Sequence, residues 1–297
     1  MSPFLLMIVL AQAPAGEFPE ALVRWSPAAP DPVFRGGGAG AWDEKIRERG
    51  WVRFEGGQFH LWYTGYNDAR SKLRLLGHAT SPDGLRWTRD PANPVFGGSW
   101  VEDVCVVEQG GGYQMFAEGK GDVAHRLTSA DRVHWKDEGP LDIRAVDGTP
   151  IPPGPYGTPT AWFEDGTWSL FYERGDLGVW LARSKDLAVW TNVRDEPVLD
   201  RGPGAYDREA VALNQIAKEG GIYYAYYHAN AHRPWGDWTT CIARSRDLVH
   251  WEKYAGNPIV AGNRSSGLLV GGPGGLRLFT MHPEVRVFES PARRDRP

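Results

Sequence analysis

Short runs of apolar and aromatic residues alternate with turns rich in Gly and Pro along most of the chain, and few stretches have the period of a helix. This pattern is typical of short β-strands joined by tight turns. A Gly-containing turn followed by an aromatic-rich strand recurs about every 54 residues, at Phe59–Tyr63, Tyr113–Ala117, Trp168–Tyr172, Tyr223–Tyr227 and Leu276–Thr280. A repeat of this length with about four strands is typical of a propeller blade. The pattern therefore predicts an all-β fold, a five-bladed β-propeller.

A second motif places Ser, then Asp two residues later, then Trp four residues after the Asp. It occurs at Ser81–Trp87, Ser129–Trp135, Ser184–Trp190 and Ser245–Trp251. Asp in such turns accepts hydrogen bonds from the backbone, so we interpret Asp83, Asp131, Asp186 and Asp247 as turn residues. The tryptophans recur with the period of the fold, which predicts packing roles and not sugar platforms for Trp25, Trp87, Trp135, Trp190 and Trp251.

The two ends of the chain complement each other. The last repeat stops near Phe288, where a further Trp-containing strand is expected. At the other terminus, Val23–Trp25 leads into Asp31–Phe34 with the spacing that joins Leu85–Trp87 to Asn93–Phe96. The N-terminal strand is therefore predicted to complete the last blade, which covers a sheet edge that would otherwise invite aggregation. Residues 14–297 are predicted to form one domain.

The chain of 297 residues has a net charge of −4 and no cluster of Lys and Arg, which excludes a typical nucleic-acid-binding protein. The apolar run Phe4–Leu10 and the small residues Ala11–Ala13 predict a signal peptide at 1–13, and hence a secreted or periplasmic protein. Against export, the first basic residue is Arg24. The run is too short to span a membrane. Cys105 and Cys241 fall in non-adjacent blades and are predicted to be buried free thiols.

In a propeller blade, the start of the first strand and the end of the second lie at the same mouth of the central channel. Candidates at or before first strands are Asp43, Glu44, Glu48, Trp100, Glu102, Asp103, Tyr156, Arg208 and Glu209. Candidates at second-strand ends are Thr64, Glu118, Glu173, His228 and His282. We interpret Asp43, Asp103 and Glu209 as functional, because carboxylates in apolar strand starts are a usual source of shifted pKa values. Glu48 and Glu102 are expected at equivalent phases, where a structural salt bridge with Arg49 is the alternative.

The segments LWYTG at 61–65, SPDGLRW at 81–87 and NPVF at 93–96 resemble the five-bladed propeller glycosidases. That group includes arabinanases, xylosidases, invertases and levanases, and mannoside phosphorylases are related to it. The resemblance extends over residues 18–290. It implies glycoside hydrolysis with Asp43 as base or nucleophile, Asp103 as orienting acid and Glu209 as proton donor. Glu48 competes for the first role, and Glu118 or Glu173 competes for the others.

The leading hypothesis is a glycoside hydrolase, which needs one protonated and one ionised carboxyl group. The predicted substrate-binding residues are Arg49, Trp100, Glu118, Tyr156, Glu173, Arg208 and His228. Two alternatives are a non-catalytic propeller that stacks sugars on Trp42, Trp100 and Tyr156, and a phosphorylase that holds phosphate with Arg47, Arg49, Arg208 and His228. We expect a carbohydrate as substrate, no cofactor, no metal, no membrane span and a monomer.

Overall fold

The computed structural model describes residues 18–152 and 154–290. The predicted signal peptide lies outside the described residues. No helix within these two ranges is long and apolar enough to cross a membrane.

Five sheets form the blades, and in each sheet the strands follow one another outward from the centre. Helix α1 (Glu20–Val23) and strand β1 (Ser26–Pro27) come before the first blade. Blade one comprises β2 (Lys45–Glu55), β3 (Gln58–Tyr66), β4 (Leu75–Ser81) and β5 (Thr88–Arg89). Blade two comprises β6 (Glu102–Gln109), β7 (Gly112–Gly119), β8 (Val123–Ser129) and β9 (Lys136–Pro140).

Blade three contains β11 (Gly157–Glu164), β12 (Thr167–Glu173), β13 (Gly178–Ser184) and β14 (Val189–Asn192), and its outer edge is extended by β10 (Asp142–Arg144) and β15 (Leu199–Asp200). A 3₁₀-helix at Ala205–Asp207 leads into blade four, which comprises β16 (Ala210–Glu219), β17 (Ile222–Asn230), β18 (Thr239–Ser245) and β19 (Glu252–Lys253). Blade five comprises β20 (Leu268–Gly272), β21 (Gly275–Met281) and β22 (Val285–Glu289).

The innermost strands close into a ring. Strand β2 contacts β6, β6 contacts β11, β11 contacts β16, β16 contacts β20, and β20 contacts β2 again. Each of the five predicted aromatic runs lies in the second strand of its blade. The five-bladed β-propeller predicted from the repeat is therefore confirmed.

The N-terminal segment completes blade five, as predicted. Strand β1 pairs antiparallel with β22, with Ser26 opposite Glu289. Phe34 forms a bridge to Val285, in the same way that Phe96 bridges Leu76 in blade one. The resemblance between the N-terminal segment and the end of blade one thus reflects equivalent positions in the two sheets.

The repeat tryptophans pack within the fold. Trp190 is fully buried and Trp135 nearly so. The indole Nε1 atoms of Trp25, Trp135 and Trp251 each donate to the carbonyl oxygen three residues earlier, which satisfies their polar atom inside the sheet stack. Both cysteines are buried and free, as predicted.

The Ser-x-Asp turns use their side chains as backbone acceptors. In the copy at the end of β18, Ser245 Oγ accepts from the N–H groups of Asp247 and Leu248 at 3.1 and 2.9 Å. Asp247 Oδ1 in turn accepts from Val249 and His250. The same bonds recur in the turns that start at Ser81 and Ser129, so these residues shape the blade edges.

Ser245→Ala is expected to destabilise the protein by about 1–2 kcal/mol, because two backbone N–H groups lose their acceptor. Chemical denaturation compares this variant with Arg246→Ala, which changes an exposed neighbour in the same turn and should leave the free energy of unfolding unchanged. Equal midpoints for the two variants would show that water replaces the serine hydroxyl without cost.

Candidate functional site

The innermost strands of blades one to four are irregular where they enter the central channel. Their pairing with the second strand shifts register between Arg47 and Trp51, Glu102 and Cys105, Gly157 and Thr160, and Leu213 and Gln215. Such bulges redirect side chains out of the regular alternation. Glu48, Asp103, Thr158 and Ser266 have φ values of 57°, 45°, 44° and 59°. Positive φ is unfavourable for residues other than Gly, and such strain concentrates at functional sites.

The observed register corrects one sequence-based expectation. Arg47 lies opposite Thr64, and Glu102 lies opposite Glu118. Glu48 therefore corresponds to Asp103, and the expected equivalence of Glu48 with Glu102 is wrong by one residue. A shift of one residue matters because it exchanges the two faces of a strand.

Six carboxyl groups from blades one to three are at least partly buried and interact through their charges: Glu48, Glu102, Asp103, Glu118, Glu173 and Asp176. The charge of Asp103 acts on four of the other five carboxyl groups. Burial raises the pKa values of Glu118, Glu173 and Asp176, and the charge of Asp103 raises all three further. We call these six residues the acidic cluster.

Glu48 differs from the rest of the acidic cluster because it remains ionised. Burial acts to raise its pKa, but His282 and Arg47 outweigh this effect and lower the pKa to about 2. His282 Nδ1 lies 3.5 Å from Glu48 Oε2, and Arg47 donates to Glu48 Oε1. The Glu48 side chain is 25% exposed. Glu48 therefore offers a partly accessible carboxylate at the mouth.

Asp103 is almost fully buried, with 7% of its surface exposed. Burial and the nearby charge of Glu48 raise its pKa to about 6, against the opposing effect of Arg49. Its Oδ1 accepts from the backbone N–H of Arg49 at 3.1 Å. A carboxyl group with a pKa near 6 is suited to proton donation near neutral pH.

Glu118 and Glu173 lie on either side of Gly157. Gly157 N–H donates to Glu173 Oε1 at 3.1 Å, and Thr158 N–H donates to Glu118 Oε2 at 2.8 Å. A Cβ atom on Gly157 would lie 2.2 Å from Glu118 Oε2 and 2.6 Å from Glu173 Oε1, so a larger residue there would displace both carboxyl groups. Burial raises the pKa of Glu173 to about 7. These two acids hold the start of β11.

Arg49 crosses the central channel and is fully buried. One terminal nitrogen donates to Thr160 Oγ1 at 2.6 Å, to the Leu213 carbonyl at 2.9 Å and to the Asn214 carbonyl at 3.1 Å. The other donates to the carbonyls of Asp103 and Pro159. Arg49 of blade one thus joins the bulges of blades two, three and four. Its predicted role as a substrate ligand remains a prediction.

His228 lies at the end of the second strand of blade four and is buried, close to Arg49. Its Nδ1 is 2.8 Å from the side-chain amide of Asn214, the bulge residue of β16. Burial and the charge of Arg49 lower its pKa to about 3, so the imidazole is neutral. The ring packs edge-on against Trp238 at 5.0 Å.

Trp100 borders the acidic cluster, and Tyr156 lies at the start of the blade-three segment that leads into β11. Trp100 Nε1 donates to Glu102 Oε2 at 2.6 Å, and Arg47 Nε lies 2.8 Å from Glu102 Oε1. Tyr156 N–H donates to the carbonyl of Asp122. Burial raises the pKa of Glu102 to about 7. Trp100 therefore positions an acid of the cluster.

The structure places Asp43 in a different environment. Its Oδ2 accepts from Tyr63 Oη at 3.0 Å and from Arg89 Nε at 2.8 Å. Arg89 lies in β5, the outermost strand of blade one, and its guanidinium also covers the ring of Phe34. Asp43 thus belongs to the contact between blade one and the closing N-terminal segment.

Glu209 and Arg208 lie at the rim. Glu209 is ion-paired with Arg233 at 3.0 Å, and its side chain is 31% exposed. Arg208 Nε donates to the carbonyl of Ala231 at 2.7 Å. Of the predicted residues, the structure brings Asp103, Arg49, Glu118, Glu173 and His228 together, and it leaves Asp43, Glu209 and Arg208 outside the acidic cluster.

Two residues of the site were not among the sequence candidates. Asp176 N–H donates to Glu173 Oε2 at 2.5 Å, and burial raises the Asp176 pKa to about 8. Arg74 stacks between the rings of Tyr66 and Trp100 at 4.1 and 4.8 Å. Both residues follow the second strand of their blade, so the loop after each aromatic run is the signal that could have found them. Among the residues described, no group of three or more His, Cys, Asp or Glu could hold a metal ion.

Comparisons with known proteins support the fold. No protein-family model matches the chain, and no curated protein sequence matches it significantly. A glycosyl hydrolase from Bacteroides ovatus superposes with a TM-score of 0.71 at 17% identity, over 85% of this chain and 86% of that one. A β-1,2-mannobiose phosphorylase from Listeria innocua has a TM-score of 0.67 at 16% identity, over 89% and 95%.

A third solved structure comes from work on the mannoside phosphorylase family GH130, which is described as containing glycoside hydrolases that target β-1,2-mannosidic linkages in Candida mannan. It has a TM-score of 0.68 at 14% identity, over 94% of this chain and 95% of that one. At these identities the likeness shows a shared five-bladed fold.

Proposed function

We propose that this protein is a glycoside hydrolase in which Asp103 donates a proton to the leaving oxygen and Glu48 is the ionised partner. The observation that carries the proposal is the contrast between two equivalent bulge residues in adjacent blades. The carboxyl group of Glu48 is held ionised by Arg47 and His282, whereas that of Asp103 has a pKa of about 6. Glycoside cleavage needs such a pair of unlike carboxyl groups at one site.

This assignment differs from the one that the family resemblance implies. Asp43 and Glu209 are engaged with Arg89 and Arg233, and neither ion pair involves the acidic cluster. Glu48 takes the role of base or nucleophile, for which it was the rival candidate. Asp103 changes from orienting acid to donor, because it combines burial in the cluster with a raised pKa. Glu118 and Glu173 orient the backbone of β11 beside it.

Hydrolysis is favoured over phosphorolysis because the basic residues near the site already have partners or carry no charge. A phosphate dianion needs Arg or Lys side chains that are free to bind it. Arg47 is already paired with Glu48 and Glu102, and both terminal nitrogens of Arg49 already donate to carbonyl oxygens and Thr160. His228 is neutral because burial lowers its pKa. Arg208 lies at the rim outside the acidic cluster, where its Nε donates to the Ala231 carbonyl.

A non-catalytic sugar-binding role is the second alternative. A binding protein has no need for a carboxyl group with a raised pKa next to an ionised one, and burying both is costly. The arrangement of Glu48 and Asp103 therefore supports catalysis. The predicted export to the periplasm or the medium is kept as part of the proposal, since it would bring the protein to extracellular glycans.

The deciding experiment incubates the purified protein with β-1,2-mannobiose and with arabinan, xylan and levan, each with and without inorganic phosphate. The mannoside is chosen because two structural neighbours are described with β-1,2-mannosidic substrates. We expect free reducing sugar at the same rate in both conditions.

The possible outcomes separate the three functions. A sugar 1-phosphate formed only with phosphate would identify a phosphorylase. Retention by a polysaccharide without any cleavage would identify a binding protein. A mock preparation from cells that carry the empty vector serves as the control, because release of sugar by that sample would point to a contaminating enzyme.

A further inference from the structure

The loop between β17 and β18 carries an exposed aromatic side chain beside the mouth. Residues 231–238 form this loop, and the chain direction places it at the same end of blade four as His228. Trp235 is 42% exposed, and it is the one aromatic residue among the large apolar side chains that stand exposed in the described ranges. We call residues 231–238 the blade-four loop.

The blade-four loop is held in place by hydrogen bonds to two asparagine side chains, one of them buried. Asn230, which is fully buried, donates from its side chain to the Gly236 carbonyl at 2.8 Å and accepts from His232 N–H at 2.7 Å. Trp238 N–H donates to Asn263 Oδ1 at 3.2 Å. An exposed tryptophan on a loop braced in this way is presented in a defined orientation before any ligand binds, which reduces the entropy cost of binding.

A chain of ring contacts connects Trp235 to the interior of the site. Trp235 packs on Trp238 at 5.5 Å, and Trp238 packs edge-on against His228 at 5.0 Å. His228 in turn lies close enough to Glu48 and Arg49 for their charges to shift its pKa. The exposed indole is therefore continuous with the wall of the mouth that contains the acidic cluster.

Polar groups flank the indole. The Arg233 guanidinium lies over the Trp235 ring, 4.6 Å from the centroid, and donates to Glu209 Oε2 at 3.0 Å. Aromatic faces bordered by a few charged groups are typical of sites that bind small polar ligands. A sugar ring matches this chemistry, because its C–H face packs on the part of the indole that Arg233 leaves exposed, while its hydroxyls bond to Arg233 and Glu209.

We propose that Trp235 is a sugar-binding platform on the blade-four loop, where a sugar ring of a glycan stacks at a subsite away from the cleaved bond. The inference rests on the proposed function for the identity of the ligand, but binding to the platform requires no catalysis. It also gives Glu209 and Arg233 a role at the rim, where they bond to the hydroxyls of the same ring.

The test is affinity electrophoresis of the intact protein in gels that contain yeast mannan, arabinan, xylan or levan. At least one polysaccharide should retard the parent. Trp235→Ala should weaken that retardation by about tenfold or more, as expected for loss of a central aromatic contact, and Trp235→Phe should keep part of it. Leu177→Ala removes another exposed apolar side chain, 43% exposed, and should migrate like the parent.

Equal retardation of parent and Trp235→Ala would overturn the inference, and so would a parent that none of the four polysaccharides retards. Thermal melting of the same samples confirms that each variant is folded. If Trp235→Ala loses retardation but the parent cleaves no glycoside, the platform stands and the hydrolase assignment fails. If the parent cleaves a polysaccharide and both proteins are retarded equally, the hydrolase stands and the platform fails.

Discussion

Asp103→Asn is expected to lower kcat for hydrolysis of the natural glycoside by about 10²–10⁴, the usual contribution of a general acid. The amide keeps the shape of the side chain and its hydrogen bond from the Arg49 N–H, but it has no proton to give to the leaving oxygen. Steady-state assays with the purified variant measure the loss. A variant with the parental kcat would remove Asp103 from the donor role.

The leaving group separates the two catalytic roles. An aryl glycoside with a leaving group of low pKa barely needs a proton, so Asp103→Asn should cleave it nearly as fast as the parent. Glu48→Gln should slow both substrates alike, because the base or nucleophile acts whatever the leaving group is. Glu209→Gln is the matched comparison for Asp103→Asn. If Glu209→Gln shows the leaving-group dependence instead, the donor is the residue that the family resemblance implies.

The pH dependence should follow the same assignment. Asp103 must be protonated to act, and its pKa is raised to about 6. The value of kcat/KM for the natural glycoside should therefore fall as pH rises through about 6. Glu48 must be ionised, and its pKa of about 2 leaves it charged over the whole working range. In Asp103→Asn the fall near pH 6 should disappear.

The repeat predicted the fold because its period is carried by residues that pack locally. The aromatic strand at Phe59–Tyr63 and its four counterparts occupy one position in five sheets, and Phe34 repeats the role of Phe96. Both features depend on the spacing of residues along the chain and on which residues are buried. Spacing and burial can be read from the order of apolar residues in the sequence. Closure of the ring could therefore be predicted from two short segments at opposite ends.

The site was predicted only in part. The rule that first-strand starts and second-strand ends share one mouth singled out Asp103, Glu118 and His228. Asp103 and Glu118 interact through their charges, and His228 lies near Arg49 and Glu48. The rule could not predict that Glu48 lies in the acidic cluster and Asp43 outside it, because the position of Glu48 depends on a bulge with positive φ. A non-glycine residue gives no sequence signal for such a backbone, and the ion pair of Asp43 with Arg89 joins residues from separate strands.

Arg49 shows most clearly what the sequence leaves undetermined. Because Arg49 lies at a strand start near carboxylates, the sequence predicted that it binds the substrate. In the structure it is fully buried, and its guanidinium donates to oxygens of three other blades. The convergence of these carbonyls depends on how five blades curve around the channel, and no repeat within one blade encodes it. We interpret Arg49 as a positioning residue for Asp103.

Arg49→Met is expected to destabilise the protein by about 3–5 kcal/mol, the cost of removing one partner from a buried charged network. Methionine fills similar space but removes the guanidinium donor from the carbonyls of Asp103 and Pro159. Chemical denaturation measures the loss. Arg49→Lys keeps the charge with fewer directed hydrogen bonds and should recover only part of the stability.

If Arg49 only stabilises the fold, its replacement should lower stability and leave the pH profile of kcat/KM unchanged. If Arg49 also positions Asp103, the replacement should change that pH profile as well. Burial and the charge of Glu48 raise the pKa of Asp103, and the charge of Arg49 opposes them. Without that positive charge the Asp103 pKa rises further, so the alkaline fall in kcat/KM should move to higher pH in Arg49→Met. In Arg49→Lys the charge remains, and the fall should stay near that of the parent. Profiles measured well below the melting temperature of each variant decide the matter: if the fall occurs at the same pH in all three proteins, Arg49 supports the fold and does not tune the donor.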